Sequence, residues 1–287
     1  MNGAHCKEQA ILQDGLISSP TKGKIFLMTH IYLFDIDGTL YSNKYHEIDP
    51  ELLQEFQILH DRGDKIYLVS SRSPYEMRHL PLSFLQFPFN GLVLEGGAAS
   101  YDQDKGLIDA RLIPNEDVKA VRNYCRDNEL LWRYSGPDGN FFNSEEDPAV
   151  RTHWRKLYMT TPMVKPWIGD DVCNILIWTK DEKQQHEIRE LLPESSLVFY
   201  SSCVEIRAKG VSKEDVLERI RKNNEPCRIF SFGDGMNDIE MLKRADHGVA
   251  VGNACDAVKA AADEVIDPVW DNGVTKWLKL QRQRANI

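Results

Sequence analysis

Asp35 and Asp37 stand two residues apart where the apolar run Ile31-Tyr32-Leu33-Phe34 gives way to acids and Gly38. Side chains alternate along a strand, so positions 35 and 37 share a side, and glycine lets the chain turn sharply just beyond them. Two carboxylates can then work on one substrate. A second acidic group follows far along the chain in Gly233-Asp234-Gly235-Met236-Asn237-Asp238. This oxygen-rich set, free of His and Cys, suits Mg²⁺, which takes octahedral oxygen ligands and often keeps waters beside one or two carboxylates and a phosphate. Lys213, in Ser212-Lys213-Glu214-Asp215, adds a cation in the first turn of a helix, because Ser212 and Asp215 have capping spacing.

The elements that must position these groups are legible around them. An Ile-Tyr-Leu-Phe strand reads as buried on both faces, which implies a parallel sheet with helices on each side and ligand chemistry at the carboxyl ends of its strands. Asp49-Pro50-Glu51 opens a helix carrying Leu52, Leu53, Phe56 and Leu59, and Gly63 ends it. The next strand, residues 65–69, runs into Ser70-Ser71-Arg72 and then Ser73-Pro74-Tyr75-Glu76, whose capping-box spacing predicts a helix start with amides free for an anion. A third strand, residues 91–95, ends in Gly96-Gly97-Ala98, and a later one, residues 228–232, leads into the second acidic loop. Strand and helix units in series indicate an α/β fold with a doubly wound, Rossmann-like parallel-sheet core.

Between these parts the pattern changes. Pro114 starts a helix through Val118, Val121, Tyr124 and Cys125, followed by an aromatic stretch, a strand at 173–178, a helix near 183–192 and short strands near 197–200 and 203–207. A mixed segment of this size is a small inserted α/β domain. The division expected is an N-terminal extension at 1–30, a core formed by 31–111 and 207–287, and an insert at 112–206. Met28 stands just before the first strand, so translation starting there is one expectation for the leading segment.

Composition narrows the class. With 287 residues and 42% hydrophobic content the chain can bury a large core. Its net charge of −9 argues against a nucleic-acid partner, since backbone affinity needs clustered Lys and Arg. Six dispersed cysteines without metal-type spacing read as reduced thiols in a cytoplasmic protein. No apolar run approaches the ~18 residues of a membrane span.

The four segments around Asp35-Ile36-Asp37-Gly38-Thr39-Leu40, Ser70-Ser71-Arg72, Lys213 and Gly233–Asp238 resemble, in order, the motifs of the haloacid dehalogenase superfamily. The last motif and the insert are most similar to its Cof-type phosphatases, and the resemblance spans 31 to about 270. It implies a Mg²⁺-dependent phosphatase with an inserted cap. Asp35 would be the nucleophile, forming an aspartyl-phosphate, and Asp37 the general acid and base. Asp35, Asp37 through its carbonyl, Asp234 and the supporting Asp238 would make the metal site. Ile36, Ser70, Ser71, Lys213 and Asn237 would bind the substrate's phosphate.

Ser71 stands where glycine is common in that family and Gly96 where asparagine is frequent. Arg72 reads as a surface side chain outside the site. Trp132, Arg133, Tyr134, Phe141, Phe142 and Asn143 read as cap core rather than as ligand contacts. Specificity is expected from the cap, because phosphate chemistry is generic and selection acts through contacts to the leaving group. The expected substrate is a small phosphorylated metabolite, a sugar phosphate first. A phosphomannomutase-like phosphotransferase and a non-catalytic metabolite-binding protein on the same scaffold are the alternatives. Oligomeric state is not legible.

Overall fold

The computed structural model describes residues 28–285 apart from 103, 105, 145–147, 149–151 and 153–160. Residues 1–27, with the expectation of a leader there, lie outside the described residues. The strands are β1 (Thr29–Phe34), β2 (Tyr41–Ser42), β3 (Glu47–Ile48), β4 (Lys65–Val69), β5 (Gly91–Leu94), β6 (Ala99–Tyr101), β7 (Leu107–Ala110), β8 (Trp132–Gly136), β9 (Gly139–Phe142), β10 (Met163–Val164), β11 (Asn174–Trp178), β12 (Ser196–Phe199), β13 (Cys203–Arg207), β14 (Cys227–Gly233), β15 (His247–Val251) and β16 (Glu264–Ile266).

Among the described residues an eight-stranded sheet runs β16-β15-β14-β1-β4-β5-β6-β7, parallel from β16 to β5 and antiparallel thereafter. β1 lies in its middle and is covered on both sides, as its composition requires. Ile31 and Leu33 pack with Val216, Leu217 and Ile220 of helix Lys213–Asn224. Tyr32 and Phe34 point the other way, toward Leu52, Phe56 and Leu59 of helix Leu52–Asp61 and Trp277 of helix Gly273–Ala285. Each fully buried apolar side chain contributes roughly 1.5–3 kcal/mol, so the strand that carries Asp35 is anchored from two faces. β1 begins at Thr29, two residues inside the stretch assigned to the extension.

Among the described residues a six-stranded sheet, β10-β9-β8-β11-β13-β12, forms the inserted cap. Its register separates two chemistries by period-2 alternation. Trp132, Tyr134, Ile175, Ile177, Val204 and Ile206 share one face and pack with Val118, Val121 and Cys125 of helix Asn115–Asp127 and Ile188 of helix Glu182–Leu191. Arg133, Ser135, Asn174, Leu176, Trp178, Glu205 and Arg207 share the other. That face meets the core sheet's acidic end.

Two local expectations need correction. Helix Leu52–Asp61 starts after Pro50, with Asp49 accepting from the Glu51 amide at 3.1 Å instead of capping the helix. The helix opened by Ser73 is the four-residue Pro74–Met77, and its capping box uses the Ser73 and Glu76 amides, so those two are not free for an anion.

Candidate active site

Asp35 follows β1 directly, its amide donating to Phe232 O of neighbouring β14, and Asp234 follows β14. Adjacent parallel strands therefore deliver both acids to one edge. Lys213, the first residue of its helix, is 1% exposed, and its Nζ donates to Asp35 Oδ1 and Asp238 Oδ1, each at 2.6 Å. The ammonium thus sits between two carboxylates. Asp238 Oδ2 accepts from the amides of Asp234 and Gly235 at 3.1 and 2.9 Å, which fixes the second acidic loop. Gly38 has φ +82°, and a Cβ there would stand 2.1 Å from Asp234 Oδ2, so the turn after Asp37 needs glycine for conformation and space.

The charges do not balance. Oxygens of Asp35, Asp234 and Asp238 lie within 4.8 Å of one another, with one ammonium among them. Burial, opposed by Lys213 and reinforced by Asp238, pushes the Asp35 carboxyl above its ordinary range, and burial with Asp35 and Asp238 does the same to Asp234. Burial disfavours the Lys213 ammonium, but Asp238 and Asp35 outweigh it and raise its pKa. Oxygen-only donors with surplus negative charge fit a hard divalent cation such as Mg²⁺.

Residues outside the expected set complete this centre. Thr39 Oγ1 donates to Asp35 Oδ2 at 3.1 Å and reaches Asp234 Oδ1 at 3.4 Å. Asn253 Nδ2 donates to Asp234 Oδ2 at 3.1 Å and to Gly38 O at 2.8 Å, tying the two acidic turns together. Thr39 was visible in the first motif; nothing local marks Asn253.

Asp37 is not part of the carboxylate cluster. Arg72 Nε and Nη2 donate to its two oxygens at 2.7 Å each, while Nη1 donates to Glu76 O at 2.9 Å. Arg72 is 3% exposed, so the surface reading of this residue is wrong. Ser70 is buried and accepts from the Arg72 amide, and Ser71 Oγ accepts from Asn237 Nδ2 at 3.1 Å. A serine where glycine is common therefore links the second and fourth motifs. Ile36 has its side chain fully buried in the core, so a substrate contact there falls to its backbone.

A cavity of about 340 Å³ opens between Asp37, Ser71 and Arg72 of the core and Arg133, Asn174 and Glu205 of the cap. Its roof is pinned by buried polar groups. Glu76 Oε1 accepts from Arg133 Nη2 and Asn140 Nδ2, both at 2.8 Å. Arg207 Nη1 donates to Gly96 O at 2.6 Å, and its Cδ lies 2.7 Å from where a Gly96 Cβ would be. The arginine occupies the room that a residue-96 side chain would need. Trp132, Tyr134 and Phe141 are cap core, as expected, whereas Arg133 lines the cavity. The signal was the alternation Trp-Arg-Tyr-Ser and Cys-Val-Glu-Ile-Arg, which puts Arg133, Ser135, Glu205 and Arg207 at alternate places between apolar residues.

Glu95, at φ +55° behind β5, accepts from Ser135 Oγ of the cap at 2.5 Å and is fully buried. Burial, opposed by Arg133 and Ser135 and reinforced by Glu76 and Glu205, pushes its carboxyl from 4.5 up to about 8. Between those values the unfolded chain binds fewer protons than the folded one, so stability falls as pH rises through this window and levels off above it. Urea midpoints across that range should show the decline in the wild type and a flatter profile in Glu95→Gln. An unchanged slope in the variant would remove Glu95 as its source.

Fold and site define an α/β enzyme with an acid-and-lysine centre at the carboxyl end of a parallel sheet, roofed by an inserted cap. The profile of the haloacid dehalogenase-like hydrolases matches residues 32–278, and the chain belongs to that family, on its Cof-type phosphatase branch. It is 24% identical over 255 residues to a 5-amino-6-(5-phospho-D-ribitylamino)uracil phosphatase of Bacillus subtilis, covering 85% of this chain and 92% of that one. It is 25% identical over 265 residues to an HMP-PP phosphatase of Yersinia enterocolitica, covering 88% and 95%. A solved subclass IIB sugar phosphatase superposes with TM-score 0.78 at 26% identity, covering 88% of this chain and 98% of that one. A Bacteroides thetaiotaomicron phosphatase of the same superfamily superposes with TM-score 0.77 at 26% identity, covering 94% and 99%. The chain is thus a phosphatase of the haloacid dehalogenase-like family, and its named relatives act on small phosphorylated compounds. No helix among the described residues is long and apolar enough to cross a membrane.

Proposed function

We propose that the protein is a Mg²⁺-dependent phosphatase that works through an aspartyl-phosphate on Asp35. The observation that carries this reading is the buried Lys213 ammonium, 2.6 Å from Asp35 and from Asp238, with Asp234 in the same cluster. An Asp35 carboxylate oxygen attacks phosphorus, and the bond from phosphorus to the leaving oxygen breaks. Asp37 gives its proton to that oxygen, then takes one from the water that attacks the aspartyl-phosphate, which frees Asp35 and phosphate. Asp35, Asp234 and the Asp37 carbonyl would hold Mg²⁺, with Asp238 in support. Bound there, Mg²⁺ supplies positive charge beside the transferring phosphoryl group. Ser70, Ser71, Lys213, Asn237 and the Ile36 backbone would hold the phosphate oxygens.

Arg72 is the positioning residue for Asp37. Both carboxylate oxygens are engaged by it, so proton transfer requires one of these bonds to give way. Arg72→Gln, which removes the fork, is expected to lower kcat by about 10²-fold, the low end for a misplaced general acid. Steady-state phosphate release checks this, and a kcat within a few-fold of wild type would count against the role.

Sugar phosphates, the class expected from the sequence, and phosphorylated pyrimidines, suggested by the uracil phosphatase relative, make up the test panel. Release that needs Mg²⁺ and stops with chelator is the expected result. Folded protein with metal that releases nothing from any compound would favour phosphotransfer between sugars or non-catalytic binding. The five described cysteines are unpaired, which supports the proposed cytoplasmic location.

A further inference from the structure

The cap is bonded to the core at the two residues that hold Arg72, and Arg72 in turn holds Asp37. From the cap, Arg133 Nη2 and Asn140 Nδ2 donate to Glu76 Oε1 at 2.8 Å each, and Ser135 Oγ donates to Glu95 Oε2 at 2.5 Å. Arg133 Nη1 donates to Ser135 Oγ at 2.9 Å, which joins the two contacts on the cap side. On the core side they are joined through Arg72: its Nη1 donates to Glu76 O, and its carbonyl accepts from the Glu95 amide, both at 2.9 Å. The circuit is closed. Arg72, Glu76, Glu95, Arg133 and Ser135 are each 3% exposed or less, so bulk water does not replace a partner lost from it.

The two halves of the chemistry are tied to the cap unequally. Asp35 and Asp234 bond to Thr39, Lys213 and Asn253, all in the core. Asp37 has both oxygens on Arg72, whose third nitrogen and carbonyl rest on Glu76 and Glu95. Lifting the cap would leave Glu76 with the Ser73 amide of its own turn and Glu95 without the hydroxyl it accepts from. The residues that brace Arg72 would lose their anchors, while the bonds around the nucleophile stay in place. Closure of a domain over a site can complete a catalytic constellation in this way, and here the part it completes is the proton donor.

We propose that seating of the cap on Glu76 and Glu95 positions Asp37 for proton donation, which makes Ser135 and Asn140 positioning residues for the general acid. This rests on the phosphatase reading and deepens it: the cap controls departure of the alcohol, and the core alone assembles the nucleophile. Neither Ser135 nor Asn140 is among the residues lining the cavity, so Ser135→Ala and Asn140→Ala remove anchors and not substrate contacts. The variants, single and combined, are compared with wild type on 4-nitrophenyl phosphate and benzyl phosphate with Mg²⁺. The two esters are close in size, but nitrophenolate leaves as the anion whereas a benzylic alkoxide needs a proton. The quantity read is kcat/KM, which covers the steps up to departure of the alcohol. In the double variant it is expected to fall about tenfold or more for benzyl phosphate and to stay within about twofold of wild type for 4-nitrophenyl phosphate. Retained hydrolysis of the nitrophenyl ester also reports an intact fold, and should the double variant not fold, the single variants carry the same comparison. An equal fall for both esters would reduce these contacts to domain packing, and no fall for either would cut the link from cap to Asp37; each result overturns the inference while leaving the phosphatase reading intact. Wild type that hydrolyses neither ester would defeat that reading and the inference with it.

Discussion

Asp35→Asn is expected to abolish phosphate release, by about 10⁴-fold or more, while the protein stays folded. The side chain is nearly isosteric, and Thr39 and Lys213 surround it with polar groups that a carboxamide can still meet in part. What disappears is the proposed nucleophile. The neighbouring carboxylates are already committed: Asp238 has both oxygens engaged by Lys213 and loop amides, Asp37 is held by Arg72, and Asp234 accepts from Asn253 and Thr39. Loss of a covalent nucleophile costs other enzymes about 10⁶ in kcat, so the figure given is conservative. A residual rate within about tenfold of wild type would contradict covalent catalysis at this position.

The second large effect is expected at Lys213. Its ammonium is the one cation bonded to the cluster of Asp35, Asp234 and Asp238 among the described residues. Lys213→Met keeps the length and apolar stem while leaving two buried carboxylates without their partner. Breaking such a pair costs about 3–5 kcal/mol, and removing a donor aimed at the transferring group costs about 10²–10³ in kcat. Urea unfolding and phosphate release measure the two losses. A stable, active Lys213→Met protein would mean that the ammonium neither balances the acids nor meets the phosphate. A stability loss without a rate loss would keep it only as a structural cation.

The acidic strand ends were legible because an apolar run that stops at acids and glycine leaves few alternatives: β1 and β14 end where the sequence places their motifs. Lys213 was legible through the Ser212 cap, which the structure retains with Ser212 Oγ accepting from the Asp215 amide. Arg72 was not. An arginine's burial is decided by a partner distant in sequence, here Asp37, and nothing adjacent to Arg72 announces it. The inner face of the cap was not legible for a related reason. Charged and apolar residues alternating in a strand ordinarily mean one solvated face, yet Arg133, Glu205 and Arg207 are buried because the core's Glu76, Glu95 and Gly96 lie opposite. Likewise the Ser73 capping box was correctly placed, but its glutamate also anchors the cap through Arg133, a second use invisible in a four-residue motif.

The most direct test is chemical trapping of the covalent intermediate. Enzyme turning over the best phosphate ester of the panel with Mg²⁺ is quenched in acid and treated with borohydride, which reduces an acyl phosphate to the alcohol, and the peptides are then mapped by mass. Homoserine at position 35, and at no other aspartate, is the expected product. Unmodified Asp35 throughout active turnover, or homoserine at Asp37 or Asp234 instead, would contradict Asp35 as the nucleophile.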